Sequence, residues 1–278
     1  KDRWHYILQG LGNTLKIALV AVLLGVVIGT AGNVSMALDK YFDNPKGALQ
    51  MFCNNAPDLW HAFGCTLTAG GAYRWYRDTL CKAEMEEAAR TGRNVYDIMG
   101  EEAEKVAPGC GGLIFLPYLS GERCPHFDSD ARGVFYGLGL EHGKGAMTRA
   151  VMEGVTFSLR DVSERIYAMD ASIKPEKVIL SGGGAMSPLW RQIVADVFNL
   201  PVVTVSGSGE GGAYGAALVA GVGVGIWKDL IEASSVLREE TRTLPIPENV
   251  AVYDKTFALY DKVYLALKDS FKELTAVR

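Results

Sequence analysis

KVILSGGGAMSPLWRQIVADVFNLPVVTVSGSGEGGAYGAALVAG, residues 177–221, decides how the chain is read. KVILSG and PVVTV are short apolar runs bounded by Gly and Pro, the pattern of buried strands. Residues 188–198 and 212–222 carry apolar or small side chains at helical spacing. Strand, helix, strand, helix in that order predicts a right-handed crossover and a parallel core sheet with helices on its faces, an α/β fold.

Each strand of the pair runs out into glycines. In SGGGAMSP, residues 181–188, a turn without Cβ atoms lets a ligand approach the backbone, and the helix that follows offers free N–H groups to an anion. The same glycines also suit a tight turn with no ligand. SGSGEGGAYGAALVAG, residues 206–221, continues into a helix of small residues. Such residues ordinarily serve close packing, and they also leave room for a phosphate or nucleoside at the helix start. GTAG, residues 29–32, is a third glycine turn, with a Thr30 hydroxyl able to donate to a phosphate oxygen.

Working outward, residues 146–169 and 252–274 predict long amphipathic helices. GGLIFLPYL, residues 111–119, predicts a buried strand, followed by a charged loop over 120–132. PYLSGERCPHFDSDARG, residues 117–133, gathers Glu122, Arg123, His126, Asp128, Asp130 and Arg132, and a cluster of that kind is ordinarily solvated. Residues 29–38, 49–57 and 59–67 read as three strands in a β-meander, and 68–82 and 83–106 as two helices.

The 278 residues are 49% hydrophobic and 22% charged, with a mean hydropathy of +0.09, a composition that excludes disorder for most of the chain. A net charge of -4 without a basic stripe excludes a nucleic-acid partner. Cys53, Cys65, Cys81, Cys110 and Cys124 form no CxxC pair, which argues against a zinc site or a disulfide framework and for reduced thiols in a cytoplasmic protein.

The head of the chain reads differently. Residues 17–31, IALVAVLLGVVIGTA, carry no charge but fall short of the roughly 20 residues a membrane span needs. Counted from Ile7 or Leu11, with Lys16 reaching out to the interface, the length becomes marginal, and a buried core segment fits it as well. WHYILQGLGNTLKIALVAVLLGVVIGT, residues 4–30, resembles the first transmembrane helix of polar amino-acid ABC-transporter permeases. Residues 1–30 are therefore expected to be a foreign hydrophobic helix, joined at Gly29-Thr30 to a domain of residues 31–278.

That second part resembles the FGGY carbohydrate kinases over about 250 residues. The likeness lies in the GER-P-x-D-x-x-A-R-G pattern of residues 121–133 and in GVFYGLGLEHGKGAMTRAVMEG, residues 133–154, which departs from the family signature only at Ala146. SGGGAMSPLWRQIVADVFNLPV is closer to the xylulokinases than to the glycerol kinases of the family, and WHAFGCTLTAGGAYRWYRD also resembles the xylulokinases. The resemblance implies the C-terminal, RNase-H-like domain of an actin-like ATPase fold, with ATP and Mg2+ as cofactors, a pentulose (D-xylulose) as substrate and a homodimer as an allowed assembly.

Carried over residue by residue, Gly29, Thr30 and Gly32 match the phosphate turn, with Ala31 in place of its Ser. Gly182, Gly183, Gly184 and Ala185 match the adenosine turn, and Gly211, Gly212 and Gly215 the small-residue helix behind it. No catalytic residue matches. The family's proton-accepting Asp is echoed only by Asn13 in Gly10-Leu11-Gly12-Asn13, and an Asn side chain cannot accept that proton. The chain is thus expected to carry the second of two kinase domains and to be inactive alone. Two alternatives stay open: a nucleotide-binding module anchored to a membrane through residues 1–30, and a free nucleotide sensor without catalysis.

Overall fold

The computed structural model describes residues 31–44, 47, 49–54 and 59–277. The hydrophobic head, with Asn13, Gly29 and Thr30, lies outside the described residues. Three strands open the fold: β1 (Gly32–Leu38), β2 (Gln50–Cys53) and β3 (Trp60–Thr66). They are antiparallel in the order β1-β3-β2, with Gly32 opposite Thr66 and Gln50 opposite Phe63. This corrects the expected meander. β3 takes the centre because it is the longer strand and alternates strictly, burying Ala62, Gly64 and Thr66 on one face, whereas β2 has four residues and is half exposed. Gly64 also admits a helix closely, since a Cβ there would lie 2.3 Å from Val162 Cγ1.

Three helices follow: α1 (Gly70–Leu80), α2 (Lys82–Thr91) and α3 (Val95–Glu104). The single helix expected over 83–106 is therefore two. Gly92 adopts φ +73° and closes α2 by donating its N–H to Ala88 O, and the Asn94 side chain then caps α3 by accepting the Tyr96 N–H at 3.0 Å. β4 (Ile114–Leu116) is fully buried, as expected, and pairs antiparallel with β5 (Val134–Tyr136), a strand the pattern did not announce.

α4 (Lys144–Tyr167) is the axis of the molecule. Sixteen of its 24 residues are buried, so it is a core helix rather than an amphipathic surface one. Gly154 makes this possible at β4, where a Cβ would stand 2.0 Å from Phe115 O. The second half runs β6 (Val178–Ile179), α5 (Pro188–Phe198), β7 (Val202–Val205), α6 (Gly212–Gly223), α7 (Leu230–Ser234), β8 (Glu239–Thr243) and α8 (Pro247–Ala276).

β6 and β7 are parallel, as the crossover requires, but β8 joins β7 antiparallel, so among the described residues the expected parallel core sheet is reduced to one parallel pair. The main core gathers Phe115, Leu116, Val151, Phe157, Ile193 and Tyr260 around α4, each such side chain contributing roughly 1.5 to 3 kcal/mol by leaving water. A smaller cluster of Leu38, Phe42, Ala62, Val162 and Ile173 lies where β1 and β3 cross the end of α4.

Candidate functional site

The turn over residues 182–186 is built from its glycines outward. Gly182 takes φ +87° with ψ -175°, a conformation open to glycine, and donates its N–H to Ser208 O at 2.7 Å. Residues Gly183–Met186 then form one 3-10 turn, after which Ser187 caps α5 by accepting the Trp190 N–H and Pro188 begins the helix. The Trp190 ring is the floor: a Cβ on Gly184 would lie 3.5 Å from it, while one on Gly183 would meet nothing within 4 Å. Arg191 Nη1 donates to Ala185 O at 2.6 Å from behind the turn.

The second glycine turn touches the first. Besides the Ser208 bond, a Cβ on Gly209 would come within 3.8 Å of Met186 Sδ. Gly211, at φ +54°, leads into α6, whose N-terminus has no side-chain cap and no acidic residue in its first turn. Cβ atoms on Gly211, Gly212 or Gly215 would meet nothing within 4 Å, so these glycines are not held by packing as small helical residues usually are. Gly221, at the far end, is the packed one, its Cβ position 2.3 Å from the Trp227 ring.

Gly32 begins β1 and is hemmed in, its Cβ position 2.6 Å from Ala69 Cβ and 2.8 Å from Leu159 Cδ2. Ala69 precedes α1, whose N-terminus likewise lacks a side-chain cap. Trp190 Nε1 donates to Thr156 Oγ1 at 3.1 Å, and Thr156 and Leu159 are three residues apart on α4. Gly184, through the Trp190 ring, and Gly32, through Leu159, are therefore each linked to the same turn of the central helix.

A cleft of about 670 Å3 separates β1 from β6, lined along β1 from Asn33 to Asp39 and on the other side from Ser172 to Ser181. Leu38 packs with Ile173 at one end, which leaves Asn33 and Ser181, the neighbours of Gly32 and Gly182, at the other.

The charged loop over 120–132 is solvated only in part: Arg123 is exposed and Asp130 and Arg132 are half-buried, but two of its carboxylates are buried. Glu122 is 2% exposed and Asp128 7%. Glu122 Oε1 accepts the N–H groups of Leu67 (3.0 Å) and Arg123 (2.7 Å), tying the loop to the turn between β3 and α1, while Oε2 is buried without a hydrogen-bond partner. Burial pushes its carboxyl up to about 7, against the pull of those two N–H groups. Burial likewise raises Asp161 to about 6 and depresses His126 to about 4, with Arg165 adding to the depression. His126 stacks on Tyr264, 3.6 Å between ring centroids, and Tyr264 donates to Asp128 Oδ2 at 2.9 Å.

A family profile described as the FGGY family of carbohydrate kinases, C-terminal domain, matches residues 24–224. The chain belongs to the FGGY family of carbohydrate kinases. Its relatives include a xylulose kinase of Lactococcus lactis, 35% identical over 253 residues, covering 90% of this chain and 48% of that protein. A gluconokinase of Bacillus licheniformis is 33% identical over 271 residues, 96% of this chain and 51% of that protein. Among solved structures, a ligand-bound xylulose kinase from Lactobacillus acidophilus superposes with a TM-score of 0.76 at 30% identity, over 88% of this chain and 47% of that one. The chain spans about half the length of the FGGY relatives it matches. Its fold is that of their actin-like ATPase domain.

Of the residues singled out from the FGGY resemblance, the structure brings Gly182, Gly183, Gly184 and Ala185 into contact with the turn that leads to Gly211, Gly212 and Gly215, and seats Gly32 on the same stretch of α4. Gly29, Thr30 and Asn13 are outside the described residues. Sequence reasoning passed over the supports Trp190, Arg191 and Thr156, and noticed Glu122 only as one of a cluster expected to be solvated. Trp190 and Arg191 look like ordinary members of a helix, and only their place directly after a glycine turn hints that they face it.

Proposed function

We propose that residues 31–278 are the ATP-holding domain of a cytoplasmic, ATP-dependent sugar kinase that converts D-xylulose to D-xylulose 5-phosphate. The observation that carries this reading is the contact between the two glycine turns, with open space where Cβ atoms on Gly183, Gly211, Gly212 and Gly215 would stand. A nucleotide can lie against backbone there, and the uncapped N-terminus of α6 favours the charge of a phosphate.

In this reading Gly182, Gly183, Gly184 and Ala185 hold the adenosine, Gly211, Gly212 and Gly215 line the helix start beside it, and Gly29, Thr30 and Gly32 face the phosphates. Among the described residues no group of three or more His, Cys, Asp or Glu side chains is placed to hold a metal, so the Mg2+ that goes with ATP is assigned to the nucleotide's own phosphates.

In phosphoryl transfer a sugar hydroxyl attacks the γ-phosphorus and its proton passes to a base. Asp39 is the acid on the cleft wall, but it stands just past the end of β1, seven residues from Gly32 and roughly 20 Å away at strand spacing. The reading therefore gives this domain nucleotide binding and gives proton abstraction to a carboxylate of a partner domain. D-Xylulose is favoured over glycerol by the likeness of residues 181–202 to xylulokinases, and the gluconokinase relative makes gluconate the competitor to test.

Calorimetric titration of MgATP into the chain, followed by phosphoryl transfer to D-xylulose, D-gluconate and glycerol with and without a fused xylulose-kinase N-terminal domain, tests each part. Millimolar or tighter MgATP binding by the chain and transfer to D-xylulose in the fusion are expected. No binding overturns the site, and preferred transfer to gluconate overturns the sugar. Binding without transfer in either form favours a nucleotide sensor. Among the described residues no helix is long and apolar enough to cross a membrane.

A further inference from the structure

We infer that Arg191 is a positioning residue that braces the 182–186 turn from behind and lends it a charge that favours a nucleotide's phosphates over the bare nucleoside. This rests on the nucleotide reading of that turn. Arg191 stands in the first turn of α5, and its Nη1 donates to Ala185 O at 2.6 Å. Ala185 is 1% exposed, so its carbonyl would otherwise be a buried acceptor short of a partner. The rest of the turn is held by lighter means: Gly182 N to Ser208 O, Ala185 N to Gly182 O, and Ser187 N to Gly184 O at 3.3 Å.

The charge of Arg191 is uncommitted. Arg149, Arg160 and Arg165 each face a carboxylate, Glu153, Asp254 and Asp161 respectively. Among the described residues no carboxylate pairs with Arg191, and its Nε is buried without any hydrogen-bond partner. Asp196, further along the same helix, is taken up by Gln192, the Ile246 N–H and Asn249. The Arg191 guanidinium thus brings a positive charge behind the turn proposed to hold the adenosine, from which the phosphates lead on past the open glycines toward the uncapped start of α6. An anion within about 8 Å of it is inside one screening length at physiological salt. Adenosine, being neutral, gains only the brace, whereas ATP gains the brace and the charge.

The test is to titrate MgATP and adenosine separately into the wild-type chain, Arg191→Gln and Arg191→Lys, recording the thermal midpoint of each. Arg191→Gln keeps a donor and removes the charge. It is expected to weaken MgATP on the order of tenfold and adenosine less than about twofold, and to flatten the salt dependence of MgATP binding. Arg191→Lys, which keeps the charge, is expected to hold the wild-type preference for MgATP over adenosine even if both bind somewhat more weakly. Equal losses for the two ligands in Arg191→Gln, or no loss, would overturn the inference and leave the nucleotide reading standing. A wild-type chain that binds neither ligand would overturn both.

Discussion

Gly154 in α4 and Gly215 in α6 occupy the same kind of position in the chain, the interior of a helix, and have opposite surroundings. A Cβ on Gly154 would sit 2.0 Å from Phe115 O, so the glycine exists to let a strand's backbone against the helix. A Cβ on Gly215 would meet nothing within 4 Å. Around Gly154 the interior is closed and every strong polar group is engaged: Arg149 Nε donates to Glu153 Oε1 at 2.7 Å, and Tyr253 joins both. Around Gly215 the helix is apolar, uncapped and half open. A missing side chain in the first region is a packing device, and in the second it is unfilled room beside a neighbouring turn. Substitutions in the first should change stability, and in the second ligand binding.

The largest effect is expected where the closed region is opened electrostatically. Arg149→Met leaves the Glu153 carboxylate, 1% exposed, with Tyr253, the Gly109 N–H and the Cys110 thiol but no cation to support its charge. Breaking a buried pair by removing one partner costs about 3 to 5 kcal/mol. Urea denaturation should show a loss of that size, and a loss under 1 kcal/mol would mean that the region is far wetter than its burial indicates.

Glu122 blurs the division, because it is buried yet half satisfied, and it makes a pH test. Its folded pKa, about 7, lies above the 4.5 of an ordinary glutamate. Between those values the folded state binds a proton that the unfolded state does not, so stability falls as pH rises through that window. Asp161, raised to about 6, adds to the fall; His126, held down to about 4, opposes it, since resisting protonation makes stability rise with pH over its own window. Comparing Glu122→Gln with wild type at pH 5 and pH 8 isolates Glu122. The variant should gain on wild type by something on the order of 2 to 3 kcal/mol over that span, and a difference that stays constant would show that Glu122 is ionised throughout.

Gly154→Ala comes next, at about 1 to 3 kcal/mol of destabilisation. The clash is with a carbonyl oxygen of β4 and cannot be relieved by rotating a side chain. MgATP affinity should survive in the folded fraction, and a selective loss of affinity without loss of stability would invert the comparison.

Why Gly154 and Gly215 could not be told apart beforehand is plain from what each depends on. The strands at 178–179 and 202–205 and the helices that follow them were legible because their periodicity is local, and so were the glycine turns, which close each strand. Burial of Glu122 and Asp128 in the 120–132 loop was not legible. It depends on Leu67 and on Tyr264, the latter 136 residues away in the chain, and no local pattern announces either. The split at Gly92 was written in the sequence as Gly followed two residues later by Asn, a helix stop and a helix start, and the apolar spacing on both sides masked it. The supports of the candidate site follow the same rule: Trp190 reaches Thr156 across 34 residues, so the meeting of the turns appears only in three dimensions.

The smallest stability effect carries the most about function. Gly215→Ala places a methyl in empty space inside a helix, where alanine is favoured over glycine by about 0.5 to 1 kcal/mol. The variant should therefore melt slightly higher than wild type. If the open face of α6 receives a nucleotide, the same methyl intrudes on it, and MgATP should bind more weakly in a protein that is more stable. Stability and affinity would then move in opposite directions at one atom, which packing alone cannot produce. A variant that gains stability and binds MgATP unchanged would show that the space at Gly215 is ordinary surface, and the nucleotide would have to rest on residues 182–185 without help from this helix.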